Sequence, residues 1–266
     1  LSLLNGPFNQ EGTREVEELL GPDIFSFPKP SSLIEFFFGF EVNDEPDNSG
    51  IYLDFFSGSC SSAQAIANLN LSDNGSRRYI MVQLPELIDE KSTAFKKGFR
   101  TISEVAKARL QALNDKYESH DVDLGFKVLK LSNSNIQTWN PDRTDLEESL
   151  LSHEEHLIEG RTEQDVLYEL LLKRGVDLAV PIENREVSGK IIYSIGYGVL
   201  FACLDESIAK DQVEDIAQAI VAWYSELVPS SDTHVFFRDS AFRDDVSKTN
   251  MAAILVQNGI THVRSL

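Results

Sequence analysis

Apolar and polar positions along the chain switch repeatedly between a period near two and a period near 3.6, so strands and helices take turns as in an α/β fold. Residues 11–20 read as a helix stopped by Gly21 and Pro22. "FSFPKPSSLIEFFFGF" starts extended, because proline disfavours helix at and before itself, and Ser31 or Ser32 then caps a short apolar helix. "IYLDFF" is apolar on both faces, the pattern of a central parallel strand. "SSAQAIANLNL" follows as a helix, "SDNGSRR" as a turn and "YIMVQL" as a strand. "TISEVAKARLQALNDKY" carries a helical stripe at Ile102, Val105, Ala106, Leu110 and Leu113, and "GFKVLKLS" alternates like a strand.

The polar, turn-rich stretch "NSNIQTWNPDRTD" predicts a domain boundary. Beyond it, "TEQDVLYELLLKRG" is a helix with Thr162 as cap and Gly175 as stop. "KIIYSIGYGVLFACL" folds as two strands around "IGYG". A long helix over 206–227, a strand in "THVFFRD", a helix in "DVSKTNMAAILVQNG" and a last strand in "THVRSL" complete the pattern. The expected organisation is a connecting arm over 1–22, one domain over 23–139 and a smaller α/β domain over 140–266.

Composition narrows the function classes. With 42% hydrophobic and 9% aromatic residues the chain is an ordinary globular protein, and no apolar run approaches the roughly 20 residues of a membrane helix. The start, Leu1 followed by "SLLNGPFNQEGTREVEELL", has no secretory pattern and reads as the middle of a longer protein. Cys60 and Cys203 form no C-x-x-C pair, so a reducing cytoplasm is expected and a disulfide framework or zinc site is not. A net charge of -19, with the larger acidic excess after residue 140, opposes this stretch alone clamping a phosphate backbone.

The candidate chemistry sits in "LDFFSGSCSSA". A ligand at the C-terminal end of a parallel strand meets the amides of the next turn and helix, and Gly58 permits close approach. Asp54 offers a hydrogen-bond acceptor for a cationic or hydroxyl-bearing ligand. Neither G-x-G-x-x-G nor G-x-x-x-x-G-K-[ST] is present, so a ligand without phosphates fits better, S-adenosylmethionine being one; the same stretch also reads as a plain core element.

The order "FSFPKPSSLIEFFF", "YLDFFSGSCSSAQAI", "RRYIMVQLPE", "GFRTISEVAKARL", "DLGFKVLKLSNSNIQTW" resembles the modification subunit of type III restriction–modification systems, a DNA adenine-N6 methyltransferase of the beta motif order. The likeness continues through "EGRTEQDVLYELLLKRGVDLAVPIE", "GKIIYSIGYGVLFACLDE" and "VFFRDSAFRDDVSKTNMAAIL". It implies an incomplete Rossmann-like, S-adenosylmethionine-dependent methyltransferase domain followed by a second, smaller α/β domain. It also implies that Pro28, Lys29 and Pro30 lie against the methionine end of the cofactor. Asp54, Phe55, Phe56, Ser57, Gly58 and Ser59 would bind the same cofactor, and Gln83, with Glu86 near it, would approach the ribose. As ordinary structure, Lys29 is a solvated loop lysine and Gln83 a strand-end hydrogen-bonding group.

Two departures qualify the resemblance. The family's second glycine and two threonines are here Cys60, Ser61 and Ser62, and a Cβ at Cys60 costs about 1 kcal/mol if the backbone there is left-handed. The D-P-P-Y-like loop of adenine-N6 methylation is absent, since no Pro-Pro occurs, so no catalytic residue is expected here. In the beta order that loop and the target-recognition region precede the Pro28–Pro30 element. The implied partners are DNA through that upstream part, a restriction subunit with helicase and nuclease parts, and a second copy of the subunit. The competing expectation is an assembly module that has lost its cofactor. His153 and His156 are spaced by three and suggest no metal site, Cys203 reads as core, and Arg238, Asp239, Arg243, Asp244 and Asp245 read as a salt-bridged loop.

Overall fold

Residues 6–38, 48–136, 157, 158 and 160–266 are described by the computed structural model. The chain forms two compact units, residues 1–128 and 129–266. The junction expected near residue 139 lies outside the described residues.

In the first unit, α1 (Asn9–Leu20) and α2 (Ser31–Phe38) precede β1 (Ile51–Asp54), α3 (Ser61–Asp73), β2 (Arg78–Met81), the single turn α4 (Thr93–Lys96) and α5 (Ile102–Lys116). β1 and β2 pair in parallel, Ile51 opposite Arg78 and Asp54 opposite Met81, with α3 as the crossover. Helix α3 begins after Cys60, is rich in small residues and buries Ala63, Ala65, Ile66 and Ala67. It stops at Asn74 in the left-handed conformation that a helix end favours. Thr101 caps α5 by accepting from the Glu104 amide at 3.3 Å.

The inward face of the strands places Tyr79 and Met81 against Cys60, Ala63, Ala106 and Leu110. The outward face is not covered by the described residues: Ile51, Leu53 and Ile80 are 56%, 51% and 52% exposed. The two-sided burial expected for "IYLDFF" is therefore realised on one face only, because the described helices of this unit pack on that side. The strand expected over "GFKVLKLS" does not form. Residues 123–134 join no ladder, Phe126 alone reaches the core, and Leu131 is exposed. Alternation marks a strand only where a neighbouring strand accepts its hydrogen bonds.

The second unit is built on a five-stranded sheet in chain order: β3 (Ile182–Val187), β4 (Lys190–Ile195), β5 (Leu200–Cys203), β6 (His234–Phe237) and β7 (His262–Ser265). The β3–β4 and β4–β5 pairs are antiparallel, and β5–β6 and β6–β7 are parallel. Alternation along β5 decides the layers. Phe201 and Cys203 face α7 (Val213–Leu227) and α8 (Asp245–Gln257), while Leu200 and Ala202 face α6 (Glu163–Arg174). The helix expected from residue 206 starts at Val213, because Ile208 instead bridges to Phe242 and the Gln212 side chain accepts from the Ala209 amide. Strand β3, "IENREV", is charged and largely exposed at the sheet edge, and its two-residue turn uses left-handed Ser188 and Gly189.

Helix α6 has the expected reciprocal cap of Thr162 with Asp165 and a left-handed Gly175 stop. Its Glu169 carboxylate accepts from Ser134 Oγ and the Asn135 amide, both at 2.6 Å, and pairs with Lys173 at 2.8 Å. Burial works to raise this carboxyl, but Lys173, the Ser134 hydroxyl and the Asn135 amide together outweigh it and pull it down to about 2. A carboxyl lowered on folding stabilises the fold above its unfolded value near 4.5 and loses that contribution as pH falls toward 2. After solvent screening the contribution is on the order of 1 kcal/mol. Urea unfolding of Glu169→Gln against the parent should show this gap at pH 7, its narrowing below pH 4.5 and its closure only near pH 2; a gap independent of pH would refute the assignment.

Candidate functional site

The turn after β1 is organised by its own side chains. Asp54 Oδ1 accepts from the Phe56 amide at 3.1 Å and Oδ2 from Ser62 Oγ at 2.6 Å, so the carboxylate clamps the end of the strand to the first turn of α3. Ser57 N donates to Val82 O at 3.1 Å and Val82 N to Asp54 O at 2.8 Å, extending the parallel ladder into the turn. Cys60 N donates to Ser57 O at 2.7 Å, and Gly58 N to Gln83 Oε1 at 2.7 Å.

Gly58 has φ 53° and Cys60 φ 60°, both left-handed. Glycine suits the first; Cys60 adopts the second with a Cβ, at a cost of about 1 kcal/mol. Its side chain turns inward, buried with Ala63, Ala106 and Leu110, and burial pushes its thiol up. A neutral buried thiol is packing material, not a nucleophile. Phe55 and Phe56 project outward, 65% and 78% exposed.

Asp54, Phe55, Phe56, Ser57, Gly58 and Ser59 thus form one turn, with Gln83 bonded to it. Glu86 is exposed, its backbone carbonyl accepting from the Ile102 amide. Pro28 and Pro30 are buried and Lys29 is exposed. The segment ahead of them reaches the turn through Phe25, whose ring lies 3.7 Å from where a Cβ on Gly58 would stand. Phe27 has φ 56° although it precedes proline, which normally holds its predecessor extended.

Behind the turn lies a polar hub. Arg109 on α5 is fully buried. Its Nε donates to Gln64 Oε1 at 2.8 Å, Nη1 to Ser59 Oγ and Ser61 Oγ at 2.9 Å and to Ser59 O at 3.2 Å, and Nη2 to Glu15 Oε2 at 3.0 Å. Glu15 Oε1 also accepts from Ser31 Oγ at 2.8 Å and Ser31 N at 3.1 Å. Burial pushes the Glu15 carboxyl up and the Arg109 guanidinium down, against the hydrogen bonds and mutual attraction that favour their charged forms. Serine 31 is therefore tied to Glu15 rather than acting as a free cap. The sequence carried one signal for this hub: Arg109 falls inside the apolar stripe of α5, where a charge is out of place.

The other candidates divide. Cys203 is core, and its thiol is pushed up to about 12 by burial. The 238–245 loop is salt-bridged: Lys248 pairs with Asp239 and Arg238 with Glu206, and Asp244 caps α8. His153 and His156 lie outside the described residues, and among the described residues no group of three or more His, Cys, Asp or Glu is placed to hold a metal ion. No described helix is long and apolar enough to cross a membrane.

No model of a known protein family matches the chain. Among curated proteins it is similar to Mod subunits of type III restriction–modification enzymes and to a type II methyltransferase. It is 32% identical to the type II methyltransferase M.KpnI of Klebsiella pneumoniae over 124 residues, 47% of this chain and 28% of that protein. The Mod subunit of the type III restriction–modification enzyme EcoPI, from Escherichia phage P1, is 31% identical over 185 residues, 66% of this chain and 27% of the subunit. The StyLTI Mod subunit of Salmonella typhimurium is 31% identical over 134 residues, 49% of this chain and 20% of the subunit. The chain is thus similar in sequence to type III Mod subunits, and its described residues form a mixed α/β structure. It spans about a fifth to just over a quarter of the length of these relatives.

Proposed function

We propose that this chain is the cofactor-binding and C-terminal part of a site-specific DNA adenine-N6 methyltransferase of a type III restriction–modification system, and that it binds S-adenosylmethionine at the turn after β1. The observation that carries the reading is that turn. A parallel strand ends at a clamped Asp54, the left-handed Gly58 follows, and Phe55 and Phe56 are presented outward, in a chain homologous to Mod subunits. In this reading Lys29 and Pro30 meet the methionine end of the cofactor. Residues Asp54–Ser59 bind it from below, and Gln83 reaches its ribose by exchanging its bond to the Gly58 amide for the ligand.

The finer architecture belongs to the same proposal: β1, α3 and β2 are part of a Rossmann-like sheet in a domain over 23–139, followed by the smaller domain over 140–266. The uncovered Ile51, Leu53 and Ile80 supply a face against which a further layer would pack. With no Pro-Pro in the sequence, the base-binding loop and target recognition would be supplied outside these residues. The whole protein would act on DNA in the cytoplasm, as a homodimer joined to a restriction subunit.

Calorimetric titration of S-adenosylmethionine into the chain tests the first step. One site is expected, with affinity falling at least tenfold in Asp54→Ala, which removes the acceptor for Phe56 N and Ser62 Oγ; no heat from a folded chain overturns the reading. One observation favours an assembly module without cofactor instead: the Gly58 amide is already taken by Gln83. The same titration separates the two.

A further inference from the structure

We infer that Glu15 and Arg109 are positioning residues, a pair of a partly buried carboxylate and a fully buried guanidinium that sets the 28–30 segment and the 57–61 turn in register from behind. The inference rests on the proposed cofactor reading, in which these two segments hold opposite ends of one ligand.

The connectivity is specific. Arg109 spends its donors on Ser59, Ser61 and Gln64, all in the turn or the first turn of α3, and on Glu15. Glu15 spends its second oxygen on the amide and hydroxyl of Ser31, the residue directly after Pro30. Helix α3 also reaches Ser31 directly through Asn68, whose Nδ2 donates to Ser31 Oγ at 3.3 Å. One helical turn earlier on α1, Gly12 presses against the backbone of Pro28 and Lys29, so the same face of α1 fixes that segment by contact as well.

An ion pair with a fully buried guanidinium is an expensive way to fill space. Apolar residues of similar volume often stabilise as well or better, whereas a charge pair fixes one geometry. The geometry fixed here is the relation between two loops, and a ligand that bridges them loses contacts at one end when either loop shifts. A ligand that touches the turn alone does not.

The test uses S-adenosylhomocysteine, which carries the amino-acid end, and adenosine, which lacks it, titrated into the 266-residue chain. In Arg109→Lys, folded by circular dichroism, affinity for S-adenosylhomocysteine should fall at least tenfold and that for adenosine less than threefold. Equal losses for both ligands, or none for either, overturn the inference. Glu15→Gln replaces Arg109→Lys if the latter does not fold. Amide exchange provides a reading without ligand. The Ser31 amide, which Arg109 does not touch, should exchange at least tenfold faster in Arg109→Lys, and an unchanged rate overturns the coupling. If the parent chain binds neither ligand, the cofactor reading falls while the exchange measurement still decides whether the pair couples the two segments.

Discussion

Gly12→Ala is expected to destabilise the first unit by about 2 kcal/mol or more, although helix propensity alone predicts a gain of about 1 kcal/mol from replacing a mid-helix glycine. A Cβ at this position would stand 2.4 Å from Pro28 O, 2.7 Å from Lys29 C and 2.8 Å from Lys29 O. These are backbone atoms, and they belong to a segment whose two prolines fix φ, so they have little freedom to swing aside. Either α1 lifts off, breaking the packing of Val16 against Ile24, Ala94 and Val105, or the Pro28–Pro30 segment moves from its seat. Overpacking of this kind costs about 3 kcal/mol, which exceeds the propensity gain and sets the sign. Urea unfolding followed by circular dichroism measures it. A neutral or stabilised Gly12→Ala would mean that α1 does not sit on the proline segment as described.

Nothing in the hydrophobic pattern announces that contact, and the reason is physical. Local signals report local demands. The Thr162 cap, the Gly175 stop and the apolar run of β5 are short-range requirements written into adjacent residues, and each was legible. The turn was legible for the same reason. The resemblance sets a side chain, Cys60, where glycine is expected, and Cys60 is indeed left-handed. Its inward rotation was not readable, because it depends on the space left by Ala63 and Ala106 from two helices. Strand β3 hid behind its charged edge face, and "GFKVLKLS" misled because alternation says nothing about whether a pairing partner is present. The Glu15–Arg109 pair joins residues far apart in sequence, and only an arginine inside an apolar stripe hinted at it.

Phe201→Ala should cost about 4 kcal/mol. Phe201 is fully buried on β5, which is hydrogen-bonded to β4 on one side and β6 on the other. Its ring packs edge-on to Trp223 of α7, with centroids 5.6 Å apart, and against Ile216 and Ile220 in the same cluster. A strand anchored along both edges has little freedom to collapse into the cavity the ring would leave, which places the cost toward the upper part of the usual range for Phe→Ala. Phe201→Leu, which keeps most of the volume, should lose under about 1.5 kcal/mol. Denaturant unfolding with near-ultraviolet circular dichroism of Trp223 reads both, and a loss below 1 kcal/mol for Phe201→Ala would contradict the packing. Phe56 supplies the contrast. It is 78% exposed, so Phe56→Ala should stay within about 0.5 kcal/mol of the parent. Two phenylalanines of one chain would then differ several-fold in what they give the fold, and the one that gives less stands beside the clamped Asp54, in the turn proposed to bind the cofactor.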